Sequence, residues 1–176
     1  LSVSLLKSVM TYTPIALSDP KNYEARANLM WAGSLSHNGL MNMGSDSRGD
    51  WACHQMEHEL SAKYDCPHGA GLTAIWGSWA RYVFPSIKER LVILGEKLFS
   101  LEGESDAIAK KTIDEMEKFF SSISMPFTIK ELGIELSEED IESLSFGATF
   151  HGKRTLGDSF RLGGKEISDI YRMARC

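Results

Sequence analysis

Apolar positions recur at helical spacing along almost the whole chain. Val3, Leu5, Leu6, Val9 and Met10 form a first stripe, which Pro14 is expected to close. Asp19-Pro20 has the form of an N-cap followed by proline at the first helical position. It predicts a helix through Tyr23, Ala27, Met30, Trp31, Ser34 and Leu35 that ends at Asn38-Gly39. The polar stretch from Asn42 to Gly49 reads as a surface loop, with Asp50 capping a helix from Trp51 to about Tyr64. Pro67-His68-Gly69 breaks the chain. From Ala70 to Phe84 the pattern is helical and apolar nearly all round, which predicts a central position, and Pro85 is expected to end it. Three amphipathic segments follow, Ile87 to Leu101, Asp106 to Ile123, and a short one opened by the capping-box pattern Ser137-Glu138-Glu139-Asp140. A looser, glycine-containing region from Gly147 to Gly164 precedes a last helix, Lys165 to Arg175. With no run of period-two alternation and no internal repeat, the expected fold is all-α, a single helical domain over residues 1–176.

Composition narrows the partners. A chain of 176 residues that is 43% hydrophobic can bury one core. Its net charge of -5, with basic residues scattered singly, offers no cationic stripe for nucleic acid or an anionic membrane. Every apolar run is far shorter than the ~18 residues of a membrane span, and the N-terminus lacks the order of a signal peptide. A soluble, cytoplasmic protein is expected. The three cysteines, Cys53, Cys66 and Cys176, fit a reducing compartment. Leu1 opens directly on helical spacing with no capping residue ahead of it, which suggests a chain cut within a helix.

The strongest chemical signal is a histidine cluster, His54, His58 and His68. His54 and His58 stand four apart, so on a helix their rings share a face one turn apart. His68 follows Pro67, which must end that helix, and can fold back toward the pair. Imidazole nitrogens suit borderline divalent metals such as iron and zinc, so the cluster points to a metal or catalytic site rather than to isolated surface histidines. Two rival motifs are weaker. His58-Glu59 begins like a zinc-protease motif, but the residue four beyond His58 is Ala62, and the second helical ligand is missing. Cys53 and Cys66 suggest a structural zinc knot, yet Cys53 adjoins His54 and points about 100° away around the helix. A non-catalytic helical module with structural zinc remains the alternative reading.

Around these histidines the sequence resembles the iron-containing alcohol dehydrogenase family, in particular its NADPH-dependent butanol dehydrogenase branch. The matching blocks are Asn22-Tyr23-Glu24-Ala25-Arg26-Ala27-Asn28-Leu29-Met30-Trp31-Ala32, Asn38-Gly39, Asp50-Trp51-Ala52 through His58-Glu59-Leu60, and Pro67-His68-Gly69. The resemblance implies the helical C-terminal, metal-binding domain of a dehydroquinate synthase-like two-domain dehydrogenase, without its nucleotide-binding domain. It implies His54 and His68 as metal ligands. It places His58 beside the metal near the nicotinamide, in a cofactor-binding and catalytic role as proton relay. The implied cofactors are ferrous iron, with zinc also possible, and NADP or NAD bound mainly outside this chain. The implied substrate is a small alcohol or aldehyde, and the full-length protein is expected to be a homo-oligomer. The family's remaining ligands, an aspartate and a histidine four residues later, have no counterpart here, since only His37 precedes the cluster and no aspartate lies four residues ahead of it. Weak metal binding and no activity are expected of this chain alone. Trp51, Trp76, Trp79 and Tyr82 are either pocket walls or core, and His151, with Lys153 and Arg154, lies in the late loop, near substrate or simply solvated.

Overall fold

The structure, a computed structural model, describes residues 1–43 and 49–176. Among these residues it is helical throughout: α1 (Ser2–Ser18), α2 (Tyr23–His37), α3 (Ala52–Tyr64), α4 (His68–Tyr82), α5 (Phe84–Phe99), α6 (Ser105–Ser122), α7 (Glu138–Ala148) and α8 (Gly164–Ala174). Single 3₁₀ turns occupy Leu40–Asn42 and Lys130–Leu132, and one isolated bridge joins Leu156 to Leu162. Of the loop expected from Asn42 to Gly49, residues 44–48 lie outside the described residues, and Asn42 belongs to the first 3₁₀ turn. No described helix is long and apolar enough to cross a membrane.

Several helix ends differ from the sequence expectation, each for a local reason. α1 runs on through Pro14 to Ser18, since a proline obstructs only the turn before it and the chain after it can stay helical. Asp19-Pro20 is a turn rather than a helix start. Asn22 is the N-cap of α2, its side-chain oxygen accepting the Ala25 N–H at 2.9 Å. Pro85 does not end α4 but sits in the first turn of α5, where its missing N–H removes nothing from the helix. The expected capping box at Ser137 and Asp140 is present. α2 stops at Asn38-Gly39 as expected, Gly39 taking the left-handed conformation at φ 83°.

α4 is the central helix, packed against α3, α6 and α8. The core is built from Met56 and Leu60 of α3, Ala74 and Ile75 of α4, Ile113 of α6, Ile141 and Leu144 of α7, and Ile167, Ile170 and Tyr171 of α8. Tyr171 is fully buried and its hydroxyl donates to the Met56 carbonyl at 2.7 Å, fixing α8 against the middle of α3. Burial pushes the Tyr171 phenol pKa up, so it stays a neutral donor. On the surface, Lys63 of α3 pairs with Asp140 of α7. The α1–α2 hairpin lies outside this core, and α1 has no buried residue.

Candidate metal centre

The histidines are placed by the α3–α4 hairpin. On α3 the residues Ala52, Met56 and Leu60 recur every four positions and are fully buried, so the helix turns another face outward. That face carries His54, half-buried, and His58, exposed. The N-cap of α3 is Trp51 rather than the expected Asp50, but Asp50, one residue earlier, still anchors the start: one carboxylate oxygen accepts the Ala52 N–H at 3.0 Å. The other accepts the N–H groups of Asp158 and Ser159 at 3.1 and 3.0 Å, which ties the late loop to this end of the hairpin. α3 ends at Asp65, in the left-handed conformation at φ 52°, and Pro67 stands extended before α4. Only residues 65–67 separate the two helices, so His68, the first residue of α4, falls back over α3.

All three rings meet. His68 lies with its ring centroid 5.4 Å from that of His54 and 5.6 Å from that of His58, and His54 and His58 are 6.4 Å apart. Burial first, then the neighbouring His68 and His58 rings, lower the pKa of His54, against a smaller opposing pull from Glu57. The Trp51 ring stands edge-on at 4.8 Å from His54. The donor set, three imidazoles on one open face with a carboxylate behind them, fits a borderline divalent metal.

The residue that sequence reasoning missed is Glu57. It is fully buried, and its carboxylate is bonded on one oxygen to His68 Nδ1 and on the other to the Ser61 hydroxyl. Among the described residues Glu57, His58 and His68 offer ligand atoms within 4.8 Å of one another. His54 falls outside that atom-level grouping although its ring faces His68. Both Glu57 oxygens are already engaged beneath the surface, by His68 Nδ1 and the Ser61 hydroxyl. A signal for Glu57 existed: Cys53, Glu57, Leu60 and Tyr64 fall on one helical stripe in which glutamate is the only charged member.

The other residues singled out from the sequence are spread over the molecule. Trp76 packs edge-on against Phe120 at 5.8 Å, and Tyr82 against Phe160 at 6.3 Å; with Trp79 they rest on the core. Of the four aromatics only Trp51 touches the histidines. His151 is exposed and stacks on Phe146 at 4.6 Å, while Arg154 lies over the Phe150 ring. Cys53 and Cys66 are free and pack against the core, and burial pushes the Cys53 thiol pKa well up. A groove of about 700 Å³ runs along α2 past Tyr23, Arg26, Met30 and Trp31, and no histidine of the cluster lines it.

Comparison with known proteins bears on this geometry. The family model of the C-terminal part of the Fe-containing alcohol dehydrogenases matches residues 1–175. The chain is 33% identical over 172 residues to NADH-dependent butanol dehydrogenase A of Clostridium acetobutylicum, covering 96% of this chain and 43% of that protein. It is 28% identical over 172 residues to the NADPH-dependent aldehyde reductase YqhD of Escherichia coli, covering 97% of this chain and 43% of that protein. The crystal structure of NADH-dependent butanol dehydrogenase A from Thermotoga maritima superposes with a TM-score of 0.92 at 30% identity, over 99% of this chain and 45% of that one. The chain therefore spans less than half the length of these relatives.

Proposed function

The chain belongs to the iron-containing alcohol dehydrogenase family, as its helical C-terminal part, and from that premise we propose that it is the metal-holding half of a nicotinamide-linked alcohol dehydrogenase or aldehyde reductase. The observation that carries this reading is the convergence of His54, His58 and His68 on one open face of the α3–α4 hairpin.

On this reading His54 and His68 are the metal ligands supplied by this chain, and the metal is ferrous iron, with zinc an acceptable substitute for the same imidazoles. When bound, such an ion supplies Lewis-acid polarisation of an alcohol or aldehyde oxygen. His58, exposed and one turn from His54, stands where substrate and nicotinamide approach, and its ring nitrogen takes or returns the hydroxyl proton. The Trp51 ring packs edge-on against one side of His54. A nucleotide-binding domain would complete the ligand set and bring NADH, as the butanol dehydrogenase relatives are named for, or NADPH, as the aldehyde reductase is. The substrates on this reading are small alcohols or aldehydes, the classes for which the relatives are named.

The test has two stages. The chain is titrated with zinc, or anaerobically with ferrous iron, while the histidine ring signals are followed by NMR; His54 and His68 should respond together, and His54→Ala or His68→Ala should abolish the response. A chain whose histidine signals ignore saturating metal would overturn the proposal. Joined to a family nucleotide-binding domain, it should then reduce butanal with NADH or NADPH, and His58→Ala should lower turnover about a hundredfold with metal retained. Turnover unchanged at every pH would remove His58 from the mechanism.

A further inference from the structure

We propose that Glu57 is the positioning residue of this centre: its buried carboxylate takes the Nδ1–H of His68, locks that ring's orientation and tautomer, and so leaves Nε2 as the ligand nitrogen. The inference rests on the metal-centre reading above and adds a residue to it.

Three observations converge. First, Glu57 has no exposed surface while the His68 side chain is 52% exposed, so the contact between them is not a pair of surface charges that water can replace. A carboxylate is kept at such depth only where donors meet it, and here His68 Nδ1 meets one oxygen and the Ser61 hydroxyl the other. Second, α4 makes room for it. A Cβ on Gly71 would lie 2.7 Å from Glu57 Cγ and 2.8 Å from Oε1, so the absent side chain at this buried position forms the pocket the carboxylate fills. Third, His68 is the first residue of α4, next to the 65–67 turn and half in solvent, and among the described residues Glu57 is the hydrogen-bond partner that holds its Nδ1. A histidine that binds metal through one nitrogen commonly donates its other N–H to a carboxylate, which fixes the tautomer and makes the ligand nitrogen more basic. Glu57 stands in that relation to His68, acting through the ring rather than on metal or substrate.

The experiment uses the uniformly ¹⁵N-labelled chain at about pH 8, where an ordinary imidazole is neutral, with zinc as the probe. In long-range ¹H–¹⁵N spectra of the wild type, His68 should be the Nδ1–H tautomer before any metal is added. In Glu57→Ala it should revert toward the Nε2–H form preferred by an unrestrained histidine side chain, and zinc affinity should fall about ten- to a hundredfold. In Glu57→Gln, whose amide oxygen can still accept the same N–H, the tautomer should hold and most of the affinity return. A wild-type His68 in the Nε2–H form overturns the proposal, and needs no variant to fold. So does a loss of affinity in Glu57→Ala with the tautomer unchanged, which would make Glu57 a ligand itself. A wild type that binds no zinc sinks the metal-centre reading instead, while the tautomer still decides the role of Glu57.

Discussion

Gly71→Ala gives a sharp test of how tightly α3 and α4 are fitted at the candidate centre. In an open helix this change stabilises by about 1 kcal/mol, because alanine is the better helix former. Here the new methyl would stand 2.7 Å from Glu57 Cγ, 2.8 Å from Oε1 and 3.2 Å from Cδ, all well inside ordinary carbon contact of about 3.5 Å. Two responses are open to the molecule. Glu57 can swing away, which strands a buried carboxylate and breaks its bond to His68, a cost of about 3–5 kcal/mol for a buried pair. Or the helices can separate slightly, an overpacking cost of about 1–3 kcal/mol. The second is cheaper, and after subtracting the helix-propensity gain the net effect is a loss of up to about 2 kcal/mol. Gly69 is the internal control: it lies two residues earlier on the same helix, and a Cβ there would meet only Met125 Cε at 3.9 Å. Gly69→Ala should leave stability unchanged or raise it by up to about 1 kcal/mol. Urea unfolding reads both, as shifts of midpoint at constant slope. If Gly71→Ala were more stable than the wild type, or the two substitutions behaved alike, the close fit between Gly71 and Glu57 would be refuted.

Two further outcomes follow from contacts away from the histidines. Tyr171→Phe removes the 2.7 Å hydroxyl bond to the Met56 carbonyl without opening a cavity, and should cost about 1 kcal/mol in the same urea assay; no loss would mean that bond does not hold α8 to α3. The Lys63 ammonium, then the Ser137 hydroxyl and N–H, hold the Asp140 carboxyl well below the usual carboxylate range. A folded-state pKa below the unfolded one stabilises above the ordinary value and ceases to do so as pH falls toward the depressed one. Asp140→Asn should therefore be less stable than the wild type at neutral pH, with the gap narrowing below about pH 4; a gap independent of pH would refute the coupling.

Most of the helices and the meeting of the three rings could be read from residue order, because they depend on spacing and on where the chain must turn. His54 and His58 share a face by arithmetic, and Pro67 forces the reversal that returns His68 to them. What escaped was decided by neighbours far off in sequence or by the ambiguity of proline. Pro14 and Pro85 both looked like stops, but a proline constrains the turn before it, so Pro85 opens a helix and Pro14 is passed through. Asp19-Pro20 looked like a helix start, but the Asp19 carboxylate accepts the Lys21 N–H within a turn, while the Asn22 side chain accepts the Ala25 N–H of the helix itself. Glu57, followed by His58 and Glu59, looks solvated when read residue by residue. Its place on the stripe of Cys53, Leu60 and Tyr64 hinted at burial, but the room that Gly71 leaves for it on the next helix is not registered by local patterning.

The short turn at residues 65–67 has a kinetic corollary. His54, Glu57, His58 and His68 all belong to one helical hairpin, so bringing them together closes only a small loop and incurs little chain entropy. Contacts so local are of low contact order and can form before distant segments find their places. The imidazole array is thus of the kind that can be transplanted: the piece from Asp50 to Gly71, laid on another pair of antiparallel helices, carries nearly all the information it needs to reassemble.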